Sequence, residues 1–296
     1  MDYLDRLMQL TKIEGEINIL CRFQGDWQVL HQQTPDALGI FHLISKGRCC
    51  VQMENQCYHL KAGDVLFLPY GSAHIISNKR QSHSNYPLSE IIALQQHSLT
   101  LCINNHISHD FEMFCGYFRY ANNSPPSFLT LPKLHLSRNN RSIMSLLRLL
   151  QQETEPALAN KSVIDSLCTV LFTYLMRDYL QSHTVNSGIL AALQDKRLYH
   201  AANAMLQHPE HNWNMDALAS LCAVSRASFI RLFKQKTGEL PGKLLLDLRM
   251  QKAQMLVRYS NKSIFAIALE VGYQSESHFS KIFKHYFGIS PSKYRD

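Results

Sequence analysis

The sequence predicts a multidomain α+β protein in three parts. Residues 1–135 predict a β-barrel of the jelly-roll type, and residues 136–188 a helical linker or dimerisation segment. Residues 189–296 predict an all-α domain with two helix-turn-helix motifs joined by a long helix. Three observations support this: short alternating apolar runs in the first part, helical periodicity after it, and a stretch near the end that occurs twice. A chain of 296 residues is long enough for such a division.

The composition fits a folded protein, since 46% of the residues are hydrophobic and 18% are charged. No apolar run reaches the roughly 18 residues that cross a bilayer, and the N-terminus lacks the order of a secretory signal. These features predict a cytoplasmic protein without membrane contact. The 8 cysteines contain no Cys-x-x-Cys pair, so we expect no zinc ribbon and mostly reduced thiols.

The positive charge is concentrated in the last third of the chain. Residues 1–195 hold 15 Lys and Arg against 16 Asp and Glu, a net charge of −1. Residues 196–296 hold 15 against 7, a net charge of +8. A basic domain beside a neutral one indicates a polyanionic partner for the basic domain alone, although charge by itself is equally consistent with a solvated basic surface.

Short strands separated by turns account for the barrel prediction. Residues 49–53 and 57–60 form two such runs around the turn 54–56, and 65–68 form a third. Short strands at regular spacing are typical of an antiparallel barrel or a jelly roll. Residues 121–141, which contain several Pro and Asn, predict a linker after the barrel.

One pattern within the barrel is more specific. Gly63, Pro69, Gly71, His74 and Asn78 follow the spacing G-x5-P-x-G-x2-H-x3-N. Gly63 is expected in a tight turn before a buried strand, which Pro69 and Gly71 end. His74 then begins the next strand, with its side chain pointing across the barrel. This pattern resembles the second signature of the cupin fold.

The first cupin signature, which offers His-x-His and a Glu as metal ligands, is incomplete in this chain. The corresponding strand, residues 39–45, has His42 alone and no nearby Glu. The barrel is therefore interpreted as a sensor pocket, with a cupin-type metal-dependent enzyme that carries a DNA-binding module as the alternative. His31, His42 and His74 could still converge, and three imidazoles suit zinc or copper. The alternative is that they are hydrogen-bonded structural histidines.

Two segments with apolar residues at helical spacing follow the linker and predict two helices. One consists of Ile143, Leu146, Leu147 and Leu150. The second consists of Val163, Leu167, Val170, Leu171, Tyr174 and Leu175. Helices after a barrel can pack on it or pair with a second subunit, and the pattern fits both uses. Residues 182–189 predict a hinge into the last domain.

The repeated stretch comprises residues 225–238 and 275–288, at an offset of 50 residues. Each copy has a Ser at the N-cap, two Phe at helical spacing and a Gly after the last turn. A short helix before each copy completes a helix-turn-helix, with Asp216 as the expected cap of the first. Residues 195–207 predict a further helix, and 242–259 predict the long connecting helix, about 27 Å long. Joined by a helix of this length, the helices of the two repeated stretches can reach successive major grooves of double-stranded DNA.

Residues 196–296 resemble the DNA-binding domain of the AraC/XylS family of bacterial transcription regulators. The resemblance rests on residues that include Leu218, Ala219, Ser225, Phe229, Arg231, Phe233, Gly238, Pro241, Arg249, Ala268, Gly272, Phe279, Phe283, Gly288 and Pro291. It implies binding of double-stranded promoter DNA, activation through RNA polymerase, a homodimer and a small-molecule inducer.

The resemblance also implies which residues contact DNA. Base contacts come from Arg226, Ala227, Ile230 and Arg231 in the first copy and from Ser277, His278 and Lys281 in the second. Ser228 and Ser280, with the caps Ser225 and Ser275, are expected at phosphates. Arg231 and Lys281 match, whereas the other outward positions differ, so the operator half-site is expected to be asymmetric.

Taken over nearly its whole length, the chain resembles two groups within this family. Residues 194–198 and 213–214 are similar to regulators of efflux pumps. Cys21, followed by Trp27 and His31, and the later Cys115 are similar to oxidant sensors, which implies a redox pair of Cys21 and Cys115. Two buried apolar cysteines are the alternative. The signal, whether a small molecule, a metal or an oxidant, stays open at this point.

Overall fold

A computed structural model of the chain describes residues 2–33, 39–78, 90–96, 99–105, 107–120, 125–126, 128–154 and 161–295. These residues fall into two units. One is helical and comprises Met1–Lys12, Pro125–Thr130 and His183–Asp296, and the other is β-rich and comprises Ile13–Ser124 and Leu131–Ser182. The predicted combination of a β-rich part and a helical part is confirmed.

The β-rich unit consists of two sheets. Its strands are β1 (Glu14–Phe23), β2 (Gln28–His31), β3 (Gly39–Lys46), β4 (Arg48–Met53), β5 (Gln56–Lys61), β6 (Val65–Leu68), β7 (His74–Ser77), β8 (Ile92–Gln96), β9 (Leu99–Ile103), β10 (Phe111–Arg119) and β11 (His135–Ser137). The larger sheet has the order β11-β6-β3-β10-β1-β9-β8, and the smaller one β2-β7-β4-β5. Their neighbours are antiparallel except for β1 and β9, which run parallel. Phe23, Trp27 and Phe111 pack together in the core with ring centroids 4.4–6.3 Å apart.

The segment with the cupin-like spacing folds as predicted. Gly63 adopts φ +89° in the turn before β6, and all four residues of β6 are buried. The amide of Gly71 then donates to the carbonyl of Leu68 and closes the turn that ends the strand. β7 begins at His74, whose side chain is buried. This turn chemistry therefore fixes where His74 enters the unit.

The predicted hairpin of β4 and β5 carries a disulfide between Cys50 and Cys57. The six other cysteines are free, in agreement with the expectation of mostly reduced thiols, and this pair is the exception. Cys50 faces His59 in the ladder and Cys57 faces Gln52, which places the two cysteines diagonally with Cα atoms 6.2 Å apart. That separation lies within the range that a disulfide bridges. Spacing in the sequence could not show it, because the diagonal depends on the register of the hairpin.

The prediction of a linker after the barrel needs correction. The stretch 121–141 was predicted to be a linker, but it contains β11, which pairs with β6 along Val65–Phe67. A strand of three residues is too short to show a period in the sequence. Residues 121–124, also part of the predicted linker, lie outside the described residues.

Two helices complete this unit: α2 (Arg141–Thr154) and α3 (Lys161–Ser182). The predicted stripe of α2 is confirmed, since its four residues are its buried ones. The stripe of α3 is only partly right, because the helix packs through Ile164, Cys168, Leu171, Phe172, Leu175, Met176 and Tyr179. Val163 and Val170 are 38% and 42% exposed. Helix α3 has two apolar faces, and periodicity alone does not show which one meets the core.

The helical unit contains α1 (Tyr3–Thr11), α4 (Gly188–Gln194), α5 (Tyr199–Gln207), α6 (Met215–Leu221), α7 (Arg226–Thr237), α8 (Pro241–Tyr259), α9 (Ile264–Glu270), α10 (Glu276–Phe287) and α11 (Pro291–Arg295). The predicted helix 195–207 is shorter, because α4 ends at Gln194 and α5 begins only at Tyr199. The cap of α6 is Asn214, not Asp216, since the Asn214 side chain accepts a hydrogen bond from the amide of Ala217 at 2.7 Å. Asn and Asp are equally good N-cap residues, so the sequence does not show which of the two begins the helix. The conformation of the preceding loop decides it.

Helix α1 belongs to the helical unit, although residues 1–135 were assigned to the barrel. Its buried side chains Leu4, Leu7 and Leu10 face α5 and α8. The guanidinium of Arg6 donates to the carbonyl oxygens of Leu206 and Gln207 at 3.2 and 3.3 Å. A cation at the C-terminal end of α5 satisfies carbonyls that have no partner within the helix.

Candidate DNA-reading surface and candidate sensor cluster

The first helix-turn-helix consists of α6 and α7. The Ser225 hydroxyl accepts from the amide of Ser228 and caps α7, and Gly238 ends it with φ +83°. Phe229 and Phe233 are fully buried, with ring centroids 5.6 Å apart. Capping and the buried face together orient the opposite face of α7 outward.

The second helix-turn-helix, α9 and α10, repeats this design with one difference. Ser275 caps α10, Gly288 ends it, and Phe279 and Phe283 lie 5.6 Å apart as their counterparts do. The offset between α7 and α10 is 50 residues, but that between α6 and α9 is 49. The turn of the second motif is therefore one residue longer than that of the first.

Each of the two turns contains one residue with a left-handed backbone conformation, and the type of residue differs between them. In the first motif this residue is Ala223, with φ +53°, and in the second it is Gly272, with φ +89°. A Cβ at Gly272 would collide with the carbonyl oxygen of Glu210, in the loop before α6. Glycine is therefore required in the second turn both for its backbone conformation and for space.

The long helix α8 anchors the loop between α5 and α6. The guanidinium of Arg249 donates to the carbonyls of Pro209 and His211 at 2.7 and 2.9 Å and lies 5.6 Å from the ring centre of Tyr273. Lys252 donates to the Glu210 carboxylate at 3.0 Å. With 19 residues, α8 is about 28 Å long.

The structure places every residue predicted to contact DNA on α7, on α10 or at their caps. Exposed among them are Ser225, Arg226, Ala227, Arg231, Ser275, Ser277, His278 and Lys281, and half-buried are Ser228, Ile230 and Ser280. Arg226 is paired with Asp216 of α6 at 3.3 Å. Among the described residues, Arg231 and Lys281 have neither a side-chain hydrogen bond nor an ion pair. Both cations are therefore free to meet an external anion or a base edge.

The three histidines predicted to converge in the barrel do so. His31 on β2 and His74 on β7 face each other in the ladder, and His42 comes from β3 in the other sheet. Each offers a ring nitrogen, and these nitrogens all lie within 4.8 Å of one another. We call this group the imidazole cluster.

Hydrogen bonds orient two of the three rings. His74 Nδ1 lies 2.7 Å from the carbonyl oxygen of Ser72, His74 Nε2 lies 2.8 Å from His42 Nε2, and His42 Nδ1 lies 3.1 Å from Cys115 Sγ. Since a carbonyl can only accept, Nδ1 of His74 carries a proton. Then His42 Nε2 donates to His74, and the Cys115 thiol donates to His42. His31 Nε2 is buried and, within the described chain, has no hydrogen-bond partner.

The environment keeps these imidazoles neutral at physiological pH. Burial lowers the pKa of His31 to about 4, and the neighbouring His74 adds to the effect. Burial also lowers the pKa of His42 well below its ordinary value, and it lowers that of His74 against the opposing hydrogen bond to Ser72. A neutral imidazole is the form that ligates metals.

The predicted redox residues Cys21 and Cys115 lie together in the larger sheet. Both are buried, and they share a hydrogen bond. The hydrogen bond with Cys102 lowers the pKa of the Cys21 thiol, but the one with Cys115 and burial raise it more, so that this pKa lies well above the ordinary value. Cys21 is therefore a thiol, not a thiolate, at neutral pH.

Comparisons with known proteins agree with the division into a helical part and a β-rich part. A model described as a helix-turn-helix domain matches residues 218–296, and one described as a cupin matches residues 2–181. A helix-turn-helix transcriptional regulator of Haemophilus influenzae is 42% identical over 100% of this chain and 98% of its own length. The chain belongs to the AraC/XylS family of transcription regulators. It is thus a DNA-binding regulator with a cupin domain.

Two relatives within this family match the resemblances seen in the sequence. The regulator MtrA of Neisseria gonorrhoeae is 31% identical over 100% of this chain and 98% of its own. The RCS-specific activator RclR of Escherichia coli is 30% identical with the same coverage.

Reasoning from the sequence missed one thiol that lies beside the predicted redox pair. Cys102 on β9 stands directly opposite Cys21 in the parallel ladder and shares a hydrogen bond with it. Unlike Cys21 and Cys115, it is half-exposed. We call Cys21, Cys102 and Cys115 the thiol cluster. No sequence signal pointed to Cys102, because a parallel neighbour 81 positions away is set by topology.

A second group of side chains of types that can bind metals lies on the β4–β5 hairpin of the cupin domain. It comprises Cys50, Cys57 and His59. The two sulfurs are joined in a disulfide, so they are not available as thiolate ligands. Among the described helices, none is both long and apolar enough to cross a bilayer.

Proposed function

We propose that the chain activates transcription in the bacterial cytoplasm by reading an asymmetric operator half-site with α7 and α10 and by contacting RNA polymerase. The observation that supports this most strongly is the pair of capped helices with buried Phe faces and exposed, unpaired cations at Arg231 and Lys281. Two helices joined by one of about 28 Å suit successive major grooves, which are roughly 34 Å apart.

Each reading helix is assigned its contacts by chemistry. Arg231 can bind guanine through two hydrogen bonds to O6 and N7, and Ala227 and Ile230 can contact a thymine methyl. In α10, Ser277, His278 and Lys281 are exposed and can donate to acceptors on base edges. Arg226 must break its ion pair with Asp216 to reach DNA. Both side chains are exposed, so losing this ion pair costs little free energy.

Ser228, Ser280 and the caps Ser225 and Ser275 are assigned to phosphates. Ser225, Ser228 and Ser275 lie at the N-terminal ends of α7 and α10, where backbone amides favour anions, and Ser280 lies in the second turn of α10. Because these contacts carry no sequence information, they position the helices while the base contacts select the site.

Affinity for a selected operator and for random DNA separates these roles. Arg231→Ala is expected to weaken operator binding by about 1–3 kcal/mol and random DNA binding much less. Arg197→Ala is the matched control, because Arg197 lies outside the reading helices and is paired with Asp195. Equal losses on both DNAs with Arg231→Ala would remove the base-reading role.

The proposed homodimer uses the face of α3 that the barrel leaves uncovered. Val163, Leu167, Val170 and Tyr174 recur at helical spacing on that face and are exposed or half-buried. A second copy supplies the same apolar face, and a self-complementary helix pair is a common way to build a two-fold dimer. Binding to two half-sites follows from such a dimer.

The proposed signal is a two-electron oxidant such as hydrogen peroxide or hypochlorous acid. The half-exposed Cys102 thiol is oxidised first to a sulfenic acid, and the adjacent Cys21 thiol attacks that sulfur, forming a disulfide and releasing water. Cys115 then attacks Cys21, which yields the Cys21–Cys115 pair and regenerates the Cys102 thiol. The relative RclR, named an RCS-specific activator, supports this choice.

The thiol cluster has a short covalent connection to the helical unit. Cys21 lies on β1, and β1 follows α1 in the chain after only two residues. Strain in β1 on disulfide formation would therefore act on α1, which is packed against α5 and α8. Full-length protein oxidised in vitro should differ from the reduced protein in operator affinity, and a Cys21→Ala variant should show no such difference.

A cupin-type metal-dependent enzyme with a DNA-binding module is the second candidate. The observation that favours it is the imidazole cluster, because three histidines with an open position also describe catalytic metal sites. Turnover of any substrate by metal-loaded protein, abolished by His74→Gln, would support this candidate over a purely regulatory barrel.

A further inference from the structure

We propose that His31, His42 and His74 form a binding site for one divalent transition-metal ion, zinc in preference to copper, and that Cys115 orients the ligand His42. This goes beyond the proposed reading of DNA and does not depend on it. The site joins the two sheets, since β2 and β7 supply two ligands and β3 the third.

The distances suit a tetrahedral ion after small ring rotations. Nitrogens held about 2.1 Å from zinc at tetrahedral angles lie about 3.4 Å apart. In the structure His42 Nε2 and His74 Nε2 are 2.8 Å apart, and the three ligand nitrogens of the cluster all lie within 4.8 Å of one another. His42 Nε2 and His74 Nε2 must move apart by several tenths of an ångström, and rotation about the side-chain bonds supplies this movement.

The cluster also has an unsatisfied nitrogen. His31 Nε2 is buried without a partner among the described residues, although its ring stacks on His74 with centroids 4.6 Å apart and planes 8° apart. Leaving a buried polar atom without a partner costs free energy that a bound ion would recover. A structural role alone does not explain this nitrogen.

The outer hydrogen bonds match those of metal-ligating histidines. Such residues usually donate their second ring N–H to an acceptor that fixes the ring. His74 already donates Nδ1–H to Ser72. For His42 the ion would take Nε2, so its proton must move to Nδ1, and the bond to Cys115 then reverses, with the sulfur accepting.

The composition of the site selects the kind of ion. Three imidazoles without a carboxylate favour zinc or copper over magnesium, calcium or manganese. The site also differs from the hairpin group of Cys50, Cys57 and His59, whose sulfurs are disulfide-bonded. Zinc suits three nitrogens and one open position, whereas Cu²⁺ prefers a square arrangement that rings from facing sheets do not offer.

The test is a metal titration of the full-length protein after chelation. Zn²⁺, Cu²⁺ and Co²⁺ are added separately, and binding is followed by calorimetry, by the rise in melting temperature and by the visible spectrum of bound Co²⁺. We expect one Zn²⁺ per chain, a tetrahedral Co²⁺ spectrum, and a weakening of at least about 100-fold in His31→Gln. His31 is the variant of choice because removing an unpaired nitrogen leaves the apo fold intact.

Two control variants and two variants of Cys115 assign the binding. His109→Gln, a half-buried histidine of the same unit outside the cluster, and Cys57→Ser, which removes the hairpin group, should bind Zn²⁺ as the wild type does. Cys115→Ala should weaken binding about tenfold, and Cys115→Ser, which keeps an acceptor, should restore most of it.

Each remaining outcome overturns part or all of the proposal. The metal site is excluded if wild type and His31→Gln bind Zn²⁺ equally, or if Cys57→Ser alone abolishes binding. The role of Cys115 is excluded if the Ala and Ser variants behave alike. Tighter Cu²⁺ binding with a tetragonal spectrum would overturn the preference for zinc.

Discussion

Cys21 and Cys102 occupy directly paired positions where β1 and β9 run parallel. One of them is buried and the other half-exposed. In the proposed redox mechanism an oxidant reaches the buried Cys21 through Cys102, which makes Cys102 the first residue to test.

Replacing Cys102 by Ser should slow the oxidation of Cys21 several-fold, because the accessible partner is lost. Full-length protein is treated with stoichiometric hydrogen peroxide, quenched by alkylation and mapped by mass spectrometry. Cys222→Ser is the matched control, since Cys222 is also free and half-exposed but lies in the helical unit. Unchanged kinetics of Cys21 oxidation in Cys102→Ser would show that the oxidant reaches Cys21 by another route.

Gly272→Ala should destabilise the helical unit by about 1–3 kcal/mol, because it places a side chain in a left-handed backbone position and against the Glu210 carbonyl. Gly242→Ala is the control. Gly242 lies in helix α8 with open space around it, so the same change there should be neutral or stabilising. Chemical unfolding measures both, and equal effects would refute the account of the second turn.

Arg249→Ala should cost about 1.5–3 kcal/mol of unfolding free energy, since it removes charged hydrogen bonds to the carbonyls of Pro209 and His211. Arg258→Ala, an exposed arginine near the end of the same helix, should change stability little. A loss confined to DNA affinity, with stability unchanged, would instead make Arg249 a DNA contact.

Val170→Asp should convert the proposed dimer to monomer. A charge buried without a partner in the α3 interface costs about 3 kcal/mol or more, which raises the dimer dissociation constant roughly 100-fold. Thr169→Asp places the same charge on an exposed position of α3 away from that face. Sedimentation equilibrium distinguishes the two variants, and dimers that persist in Val170→Asp would place the interface elsewhere.

Acid should destabilise the metal-free β-rich unit in a window set by the imidazole cluster. The folded pKa of His31 is depressed from 6.5 to about 4, so the unfolded chain binds more protons between these values. Stability is therefore complete above pH 6.5 and falls as the pH approaches 4, by up to about 1.4 kcal/mol per pH unit for each such histidine. His31→Gln should flatten the slope of unfolding free energy against pH, and an unchanged slope would mean that His31 is not buried as a neutral ring.

The sequence was sufficient wherever local chemistry decides the structure. Ser225, Ser275, Gly238 and Gly288 bracket two reading helices, and the spacing from Gly63 to His74 places a histidine at the start of β7. It was insufficient wherever distant segments meet. The pairing of Cys102 with Cys21, the diagonal of Cys50 and Cys57, and the packed face of α3 all depend on register or tertiary contact.

The central claim is that α7 and α10, which differ in their exposed side chains, bind different bases of one operator half-site. Selection from random DNA by wild type, Arg231→Ala and Lys281→Ala tests it most directly. The account predicts that the wild type selects an asymmetric DNA site. Each substitution should weaken the base preference at a different set of positions in that site, and the two sets should lie about 10 base pairs apart. Enrichment of no sequence by the wild type, or relaxation of the same positions by both variants, would contradict it.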